Sequence, residues 1–324
     1  MNVVVSIATI PKRIEYFRRS FGNFLKQTAI GKVSAIYVNV NDDVNDDVND
    51  DELALYDYLK DNSLVKVVKR DSKWRSANKL VWTYMEHMDD VIVTFDDDKD
   101  YPLDCLEELL EAYEKSDKRT VITEESNPTL ITADGSVEFR NNTEVAFGQL
   151  CFSKYFSNGC LFPPRCFGDG KLLTDYDRFY EMTRGQHDEL WFWLVTTLNK
   201  VRSIRLNSTY SYAADGCSYP LDDCALTRVN CKAERVKEYN AKVNEMFGDE
   251  LVKVFDEVPV SIPLNRSNYE AVLFAMPYIY TLYGNFKVEI VADEHMRKSH
   301  LKYIEKVARK HVWKRGCNIK AHCI

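Results

Sequence analysis

Val3 to Ala8 is a short apolar run rich in β-branched residues that stops before Pro11, after which Ile14, Phe17, Phe21, Phe24 and Leu25 recur at helical spacing. The pattern predicts strand, turn, helix. Val33 to Val40 reads as a second strand, Leu53 to Leu59 as a helix, and Leu64 to Val68 as a third strand. Trp74 to Met88 has helical periodicity, and Val91 to Phe95 is a continuous apolar strand of the kind covered on both faces by helices. Pro102 is placed to open a further helix that runs to about Lys115.

Strands that alternate with helices imply right-handed βαβ units, an α/β fold and a mostly parallel Rossmann-type sheet flanked by helices. Ligands of such sheets bind beyond the carboxyl ends of the strands, so chemistry is to be sought in the loops after strands one, two and four. Past Asn127-Pro128 the pattern changes. Leu130 to Thr132 and Val137 to Arg140 read as hairpin arms around Asp134-Gly135, followed by loops rich in Gly, Pro and aromatics from Asn158 to Gly170. A helix from His187 to Asn199 and a long one from Leu226 to Phe247 are expected next. Residues 263–324 read as a C-terminal helical appendage, which leaves 1–127, 128–262 and 263–324 as the three parts of the chain.

At 45% hydrophobic and 29% charged residues, the composition is that of a folded protein, and no apolar run approaches the ~20 residues of a membrane span. The first ten residues lack a basic n-region and a small-residue cleavage site, so the expected location is cytoplasmic. Nine cysteines form no CxxC pair and no zinc spacing, which reads as reduced thiols. Sequons at Asn141, Asn207 and Asn265 matter only in a secretory compartment. The net charge of −7 argues against nucleic acid as a partner. That charge is uneven: Asn41 to Glu52 holds seven acidic residues, whereas Lys287 to Lys320 holds ten Lys/Arg against four Asp/Glu.

The tandem NDDV of residues 41–48 fails as a calcium loop. Counted from Asp43, position six is Val48 where Gly is needed, and position twelve is Ala54 where Glu is needed. It reads as a solvated acidic loop. Asp96, Asp97 and Asp98 differ because they follow a fully apolar strand, at the place where an open sheet presents ligands. Adjacent carboxylates repel, and packing gives no reason to keep three together, so the arrangement points to a divalent cation, Mn²⁺ or Mg²⁺. Such an ion fills its shell with phosphate oxygens and water, which implies a substrate with a diphosphate.

TFDDDKDYP resembles the Asp-x-Asp segment of nucleotide-sugar-dependent glycosyltransferases with the GT-A fold, especially bacterial cell-surface polysaccharide enzymes with a DDD-x-x-YP motif. VSIATIPKRI resembles their first strand and loop, SKWRSANKL their donor-binding segment, and GQHDELWFW the acidic motif that opens an acceptor-side helix. Together the four stretches cover roughly residues 3 to 205 in the family's order. The resemblance implies a GT-A-like fold in which 1–127 binds the nucleotide-sugar donor, UDP-sugars favoured, and 128–262 binds a glycan or lipid-linked glycan acceptor.

By that resemblance Asp98 coordinates the metal, Asp96 reaches the donor ribose or a metal-bound water, and Asp97 is the variable middle position. Thr9, Pro11 and Arg13 lie under the nucleoside. Arg75 and Lys79, four apart, are expected on one face near a helix start, where the dipole favours a diphosphate. Asn78 and Asp71 are candidates for the base or ribose, while Trp74 and Trp82 read as core. Asp188 and Glu189 stand at a helix N-terminus, where plain capping competes with a role as general base in an inverting displacement. Asp188 is the first choice, and Glu189 departs from the pair of Asp residues common in the family. His187 is a candidate metal ligand, with a capping His as the alternative. The segments 157–160 and 167–171 are expected to line the acceptor pocket.

Met296, His300, Tyr303, Ile304, Val307, His311 and Val312 recur at helical spacing among lysines and arginines, a basic amphipathic helix fit for an anionic membrane surface on the cytoplasmic side, for a partner, or for packing within the protein. Other readings of the chain are a sugar-1-phosphate nucleotidyltransferase, against which ATIPKRI lacks the glycine-rich loop, a non-catalytic carbohydrate-binding relative, and a nuclease or phosphatase.

Overall fold

The structure is a computed structural model that describes residues 1–324 except 43–49, 128, 133–134, 140–149, 156–158, 207–231, 294, 311–312, 314–315 and 322–324. Residues 43–48 of the NDDV repeat, residues 157–158 of segment 157–160 and the sequons at Asn141 and Asn207 lie outside the described residues.

The first half follows the predicted alternation: β1 (Val3–Thr9), α1 (Ile14–Phe24), β2 (Ala35–Asp42), α2 (Asp50–Leu59), β3 (Val65–Asp71), α3 (Val81–Glu86), β4 (Val91–Phe95) and α4 (Cys105–Lys115). β1 pairs in parallel with β2 and β4, and β2 with β3. The buried strand β4 feeds both layers. Val91, Val93 and Phe95 join Phe17, Phe21 and Leu106 beneath α1 and α4, while Ile92 joins Trp74, Tyr84 and Trp191 on the opposite face.

The second half continues through β5 (Val121–Thr123), β6 (Ser126–Asn127), β7 (Thr129–Ile131), β8 (Val137–Phe139), β9 (Leu150–Cys151), β10 (Lys154–Tyr155), β11 (Cys160–Phe162), α5 (Tyr176–Thr183), α6 (Asp188–Leu198), β12 (Ser203–Arg205) and α7 (Ala233–Glu257). The expected hairpin is present as the antiparallel pair β7 and β8. β11 enters between β4 and β5, antiparallel to both. α6 is buried on all sides from Leu190 to Thr197, as its uniformly apolar sequence requires.

The remainder is β13 (Val260–Leu264), α8 (Tyr269–Tyr283), β14 (Val288–Ala292), α9 (Lys298–Ala308) and β15 (Cys317–Ala321). Among the described residues, eleven strands form one mixed, mostly parallel sheet in the order β15-β14-β13-β9-β12-β5-β11-β4-β1-β2-β3. Residues 263–324, expected as a helical appendage, therefore also supply parallel strands to this sheet. The apolar side of α9 is spent inside the protein, where Met296, Ile304 and Ala308 are buried.

Three local expectations are corrected. Trp74 to Met88 is not one helix: a 3-10 run over Ser72–Lys79, broken at Arg75 (φ 48°), precedes the short α3. The helix after Pro102 begins only at Cys105. The long helix expected to end at Phe247 continues to Glu257, because Leu251, Val254 and Phe255 keep its apolar face in the core.

Candidate active site

Four parallel strands end at one edge and bring Thr9, Asn41, Asp71 and the triplet Asp96–Asp98 to the same end of the sheet. The turn after β4 is tied down from both sides. The backbone N–H of Asp96 donates to the Tyr101 hydroxyl at 2.9 Å, and Ser20 Oγ donates to the carbonyl of Lys99 at 2.7 Å. Anchored in this way, three consecutive carboxylates take three different environments.

Asp97 turns inward and is 5% exposed, accepting from Thr9 Oγ1 at 2.7 Å and Arg13 at 2.8 Å. Arg13 also reaches Asp98, so the loop after β1 and the triplet are held together by one guanidinium. Thr9 and Arg13, expected beneath a nucleoside, thus serve the triplet, while Pro11 is buried at the first 3-10 position after β1. Asp96 faces the other way, with Lys79 Nζ at 2.9 Å and Lys99 Nζ at 3.7 Å.

Lys79 joins the two acidic motifs. Its ammonium is buried and lies 3.3 Å from Asp188 as well as 2.9 Å from Asp96. Ser76 Oγ donates to Asp188 at 2.8 Å from the same 3-10 run. Asp188 and Glu189 open α6, so the triplet on β4 and the acidic pair on α6 meet across Lys79. Glu189 accepts from His187 Nδ1 at 3.1 Å, and the His187 ring packs on Tyr239.

The expectation that Arg75 and Lys79 share one helical face is overturned by the break at Arg75, whose positive φ turns its side chain outward into solvent while Lys79 turns inward. The carbonyl of Arg75 accepts from Asn41 at 2.8 Å, which ties this backbone to β2. Asn78 is buried and donates to Asn41 Oδ1 and to the Asp71 carbonyl, both at 2.8 Å, and its own Oδ1 has no hydrogen-bond partner among the described residues. Asp71 caps the 3-10 run through the N–H of Lys73 at 3.0 Å.

Burial, reinforced by the charge on Glu189, pushes the carboxyl of Asp188 up to about 7 against the pull of Lys79 and Ser76. Asp97 is likewise pushed up to about 7 by burial, against Arg13 and with the repulsion of Asp98. Burial opposes ionisation of Asp96 too, but Lys79 and Lys99 prevail and hold it low. Burial and nearby Lys154 lower His187, which is then neutral near pH 7 with its Nδ1 proton directed at Glu189. Burial also works against the Glu189 anion; the hydrogen bond from His187, with Lys79 and Lys154 nearby, keeps it ionised. Lys79 stays charged despite its burial because Asp188, Asp96 and Glu189 surround it.

The donor chemistry fits a hard dication. Asp96 and Asp98 present carboxylates that are 26% and 29% exposed, and such an ion takes one or two protein carboxylates and completes its shell with phosphate and water. Among the described residues no three His, Cys, Asp or Glu side chains are gathered for a metal, and the Nδ1 side of the His187 ring is turned to Glu189.

Sequence reasoning passed over Ser76, Lys99, Lys154 and Tyr239. Ser76 lies inside SKWRSANKL, three residues before Lys79, and Lys99 directly follows the triplet in TFDDDKDYP; Lys154 and Tyr239 carry no such signal. The loop 167–171, expected at the acceptor pocket, is elsewhere. Gly168 lies against Asn199, at the C-terminal end of α6, about 16 Å along the helix from Asp188. A cavity of about 410 Å³ also opens at that end, between Leu198, Lys200, Phe247 and Lys253.

No family model and no curated protein sequence matches the chain. In structure it is similar to 4-diphosphocytidyl-2C-methyl-D-erythritol synthase, at 12% identity and TM-score 0.38, over 75% of this chain and 97% of that one. It is also similar to S. aureus TarS, at 13% identity and TM-score 0.45, over 65% of this chain and 36% of that one, so the match spans about a third of TarS.

Proposed function

We propose that the protein is a metal-dependent glycosyltransferase that moves a sugar from a nucleotide-sugar, a UDP-sugar by preference, to a glycan hydroxyl with inversion, in the synthesis of surface polysaccharide. The observation that carries this reading is the Lys79 bridge. It puts the triplet at the end of β4 and a buried carboxyl with a pKa of about 7 into one site at the carboxyl edge of a parallel sheet. The order of the sequence motifs supplies the reaction class.

Asp188 is the general base. A carboxyl that titrates near the working pH is both available as the anion and basic enough to accept a proton from the acceptor hydroxyl as that oxygen attacks the anomeric carbon. The bond from that carbon to the diphosphate breaks in the same step, and the nucleoside diphosphate departs. Ser76 and Lys79 hold the Asp188 carboxylate in place. Bound Mn²⁺ or Mg²⁺, carried by Asp98 and Asp96, would neutralise charge on the diphosphate. Arg13 and Thr9 fix the triplet through Asp97, and Arg75 extends from the rim of the site, where it can meet an anionic group.

The test is a thermal-shift screen of nucleotide sugars with and without Mn²⁺, because a ligand that binds the native state raises its apparent stability. A UDP-sugar is expected to raise the melting temperature only with the metal, and Asp98→Ala to lose the shift. A shift retained in full by Asp98→Ala refutes the metal assignment. Asp188→Asn is expected to keep the shift and lose transfer by roughly 10²–10⁴-fold.

A further inference from the structure

The helix pair α8 and α9 carries a surface that the proposed reaction does not use. β13, β14 and β15 are parallel and adjacent in that order, so successive right-handed crossovers put both helices on one face of the sheet. Tyr269 of α8 stacks on His300 of α9 at 4.4 Å, which seals the seam between them. Their outward sides therefore form one continuous surface.

On α8, Phe274 stands opposite the buried stripe of Val272, Met276 and Ile279 and is 92% exposed, more than any other large apolar side chain among the described residues. On and beside α9, Lys298, Lys302, Lys306 and Lys310 are exposed and have no ion-pair partner among the described residues, whereas Arg309 is neutralised by Glu305. Tyr303 adds a second exposed ring. Glu270, one turn before Phe274, is the acidic group exposed on the adjoining side of α8.

We propose that this face docks on an anionic lipid surface, with the lysine ammonium groups on headgroup phosphates and Phe274 in the interfacial layer. The composition selects that occupant. A protein interface needs an apolar centre of several hundred Å² per partner and is depleted in lysine, whereas here two exposed rings, Phe274 and Tyr303, are framed by lysines without an ion-pair partner among the described residues. A charged bilayer takes that combination, because lysines near its surface and one inserted aromatic act together. The contact differs from that of an amphipathic helix laid on its apolar side, since the apolar side of α9 is already packed on the sheet.

The experiment is flotation of the full chain with vesicles of phosphatidylcholine alone or mixed with phosphatidylglycerol, at low and high salt, beside light scattering of the free protein. Binding is expected only with phosphatidylglycerol and is expected to fall at high salt. The triple variant Lys302→Gln/Lys306→Gln/Lys310→Gln should bind on the order of a hundredfold more weakly and Phe274→Ser about tenfold, both with unchanged circular dichroism. No binding to the mixed vesicles at low salt, or equal binding by both variants, overturns the proposal. So does light scattering that shows a dimer which Phe274→Ser converts to monomer, because the face then serves a second copy of the chain.

Discussion

Replacing Lys79 with Met removes a buried ammonium and leaves the hydrophobic stem in place. The change strands Asp188, which is 3% exposed and has Lys79 at 3.3 Å, and weakens the hold on Asp96, which retains Lys99 at 3.7 Å. Removal of one member of a buried ion cluster costs about 3–5 kcal/mol, because the remaining charge keeps its desolvation penalty without its partner. That loss should depend on pH with a definite sign. In the wild type Asp188 titrates near 7, above its unfolded value, so its contribution to stability declines as pH rises through the interval between the unfolded value and 7 and is flat beyond it. Without Lys79 the folded carboxyl holds its proton to higher pH. The native variant then carries one proton more than its unfolded state above pH 7, and its deficit relative to wild type grows by up to about 1.4 kcal/mol per pH unit. Urea unfolding of both proteins at about pH 6 and about pH 8.5 measures this. A deficit below about 1 kcal/mol at the higher pH, or one equal at the two pH values, refutes the bridge as the element that holds the two acidic motifs together.

Asp97→Asn should remove one of the two site carboxyls pushed up to about 7 and flatten the fall of wild-type stability between about pH 4 and pH 7, which urea midpoints across that range would read. Gly170 has φ +77° and its added Cβ would press on Met85 Sδ, so Gly170→Ala should cost about 1–3 kcal/mol in thermal unfolding with donor binding unchanged. Burial raises the Cys160 and Cys166 thiols well above their ordinary range, so iodoacetamide near pH 8 should leave both unmodified in the native protein, as peptide mass mapping would show. Alkylation of either at the rate of an unfolded control would contradict their placement.

The parts of the fold legible in the sequence were those that local pattern determines. β1 to β4, α1 and α6 each announce themselves by a run or a period, and the end of β4 located the triplet at the carboxyl edge of the sheet. Periodicity does not separate an α-helix from a 3-10 turn broken at one residue, so Trp74 to Met88 reads as continuous and Lys79 as sharing one helical face with Arg75. The contact of Lys79 with Asp188 depends on how α6 packs behind the 3-10 run, and no spacing encodes that. The same holds for β11, three residues long, whose position is set by its neighbours. The C-terminal strands β13 to β15 were missed because the basic residues around α9 dominated the pattern of that region.

The position of β11 also bears on biosynthesis. A nascent chain that has emerged only as far as β5 has β1 on one side of β4 and nothing on the other, since the strand that fills that place is Cys160–Phe162. Until it arrives, a largely apolar strand edge is open to neighbouring chains on the same message. A fragment ending near residue 127 would keep that edge permanently, and would be expected to aggregate where the 324-residue chain folds.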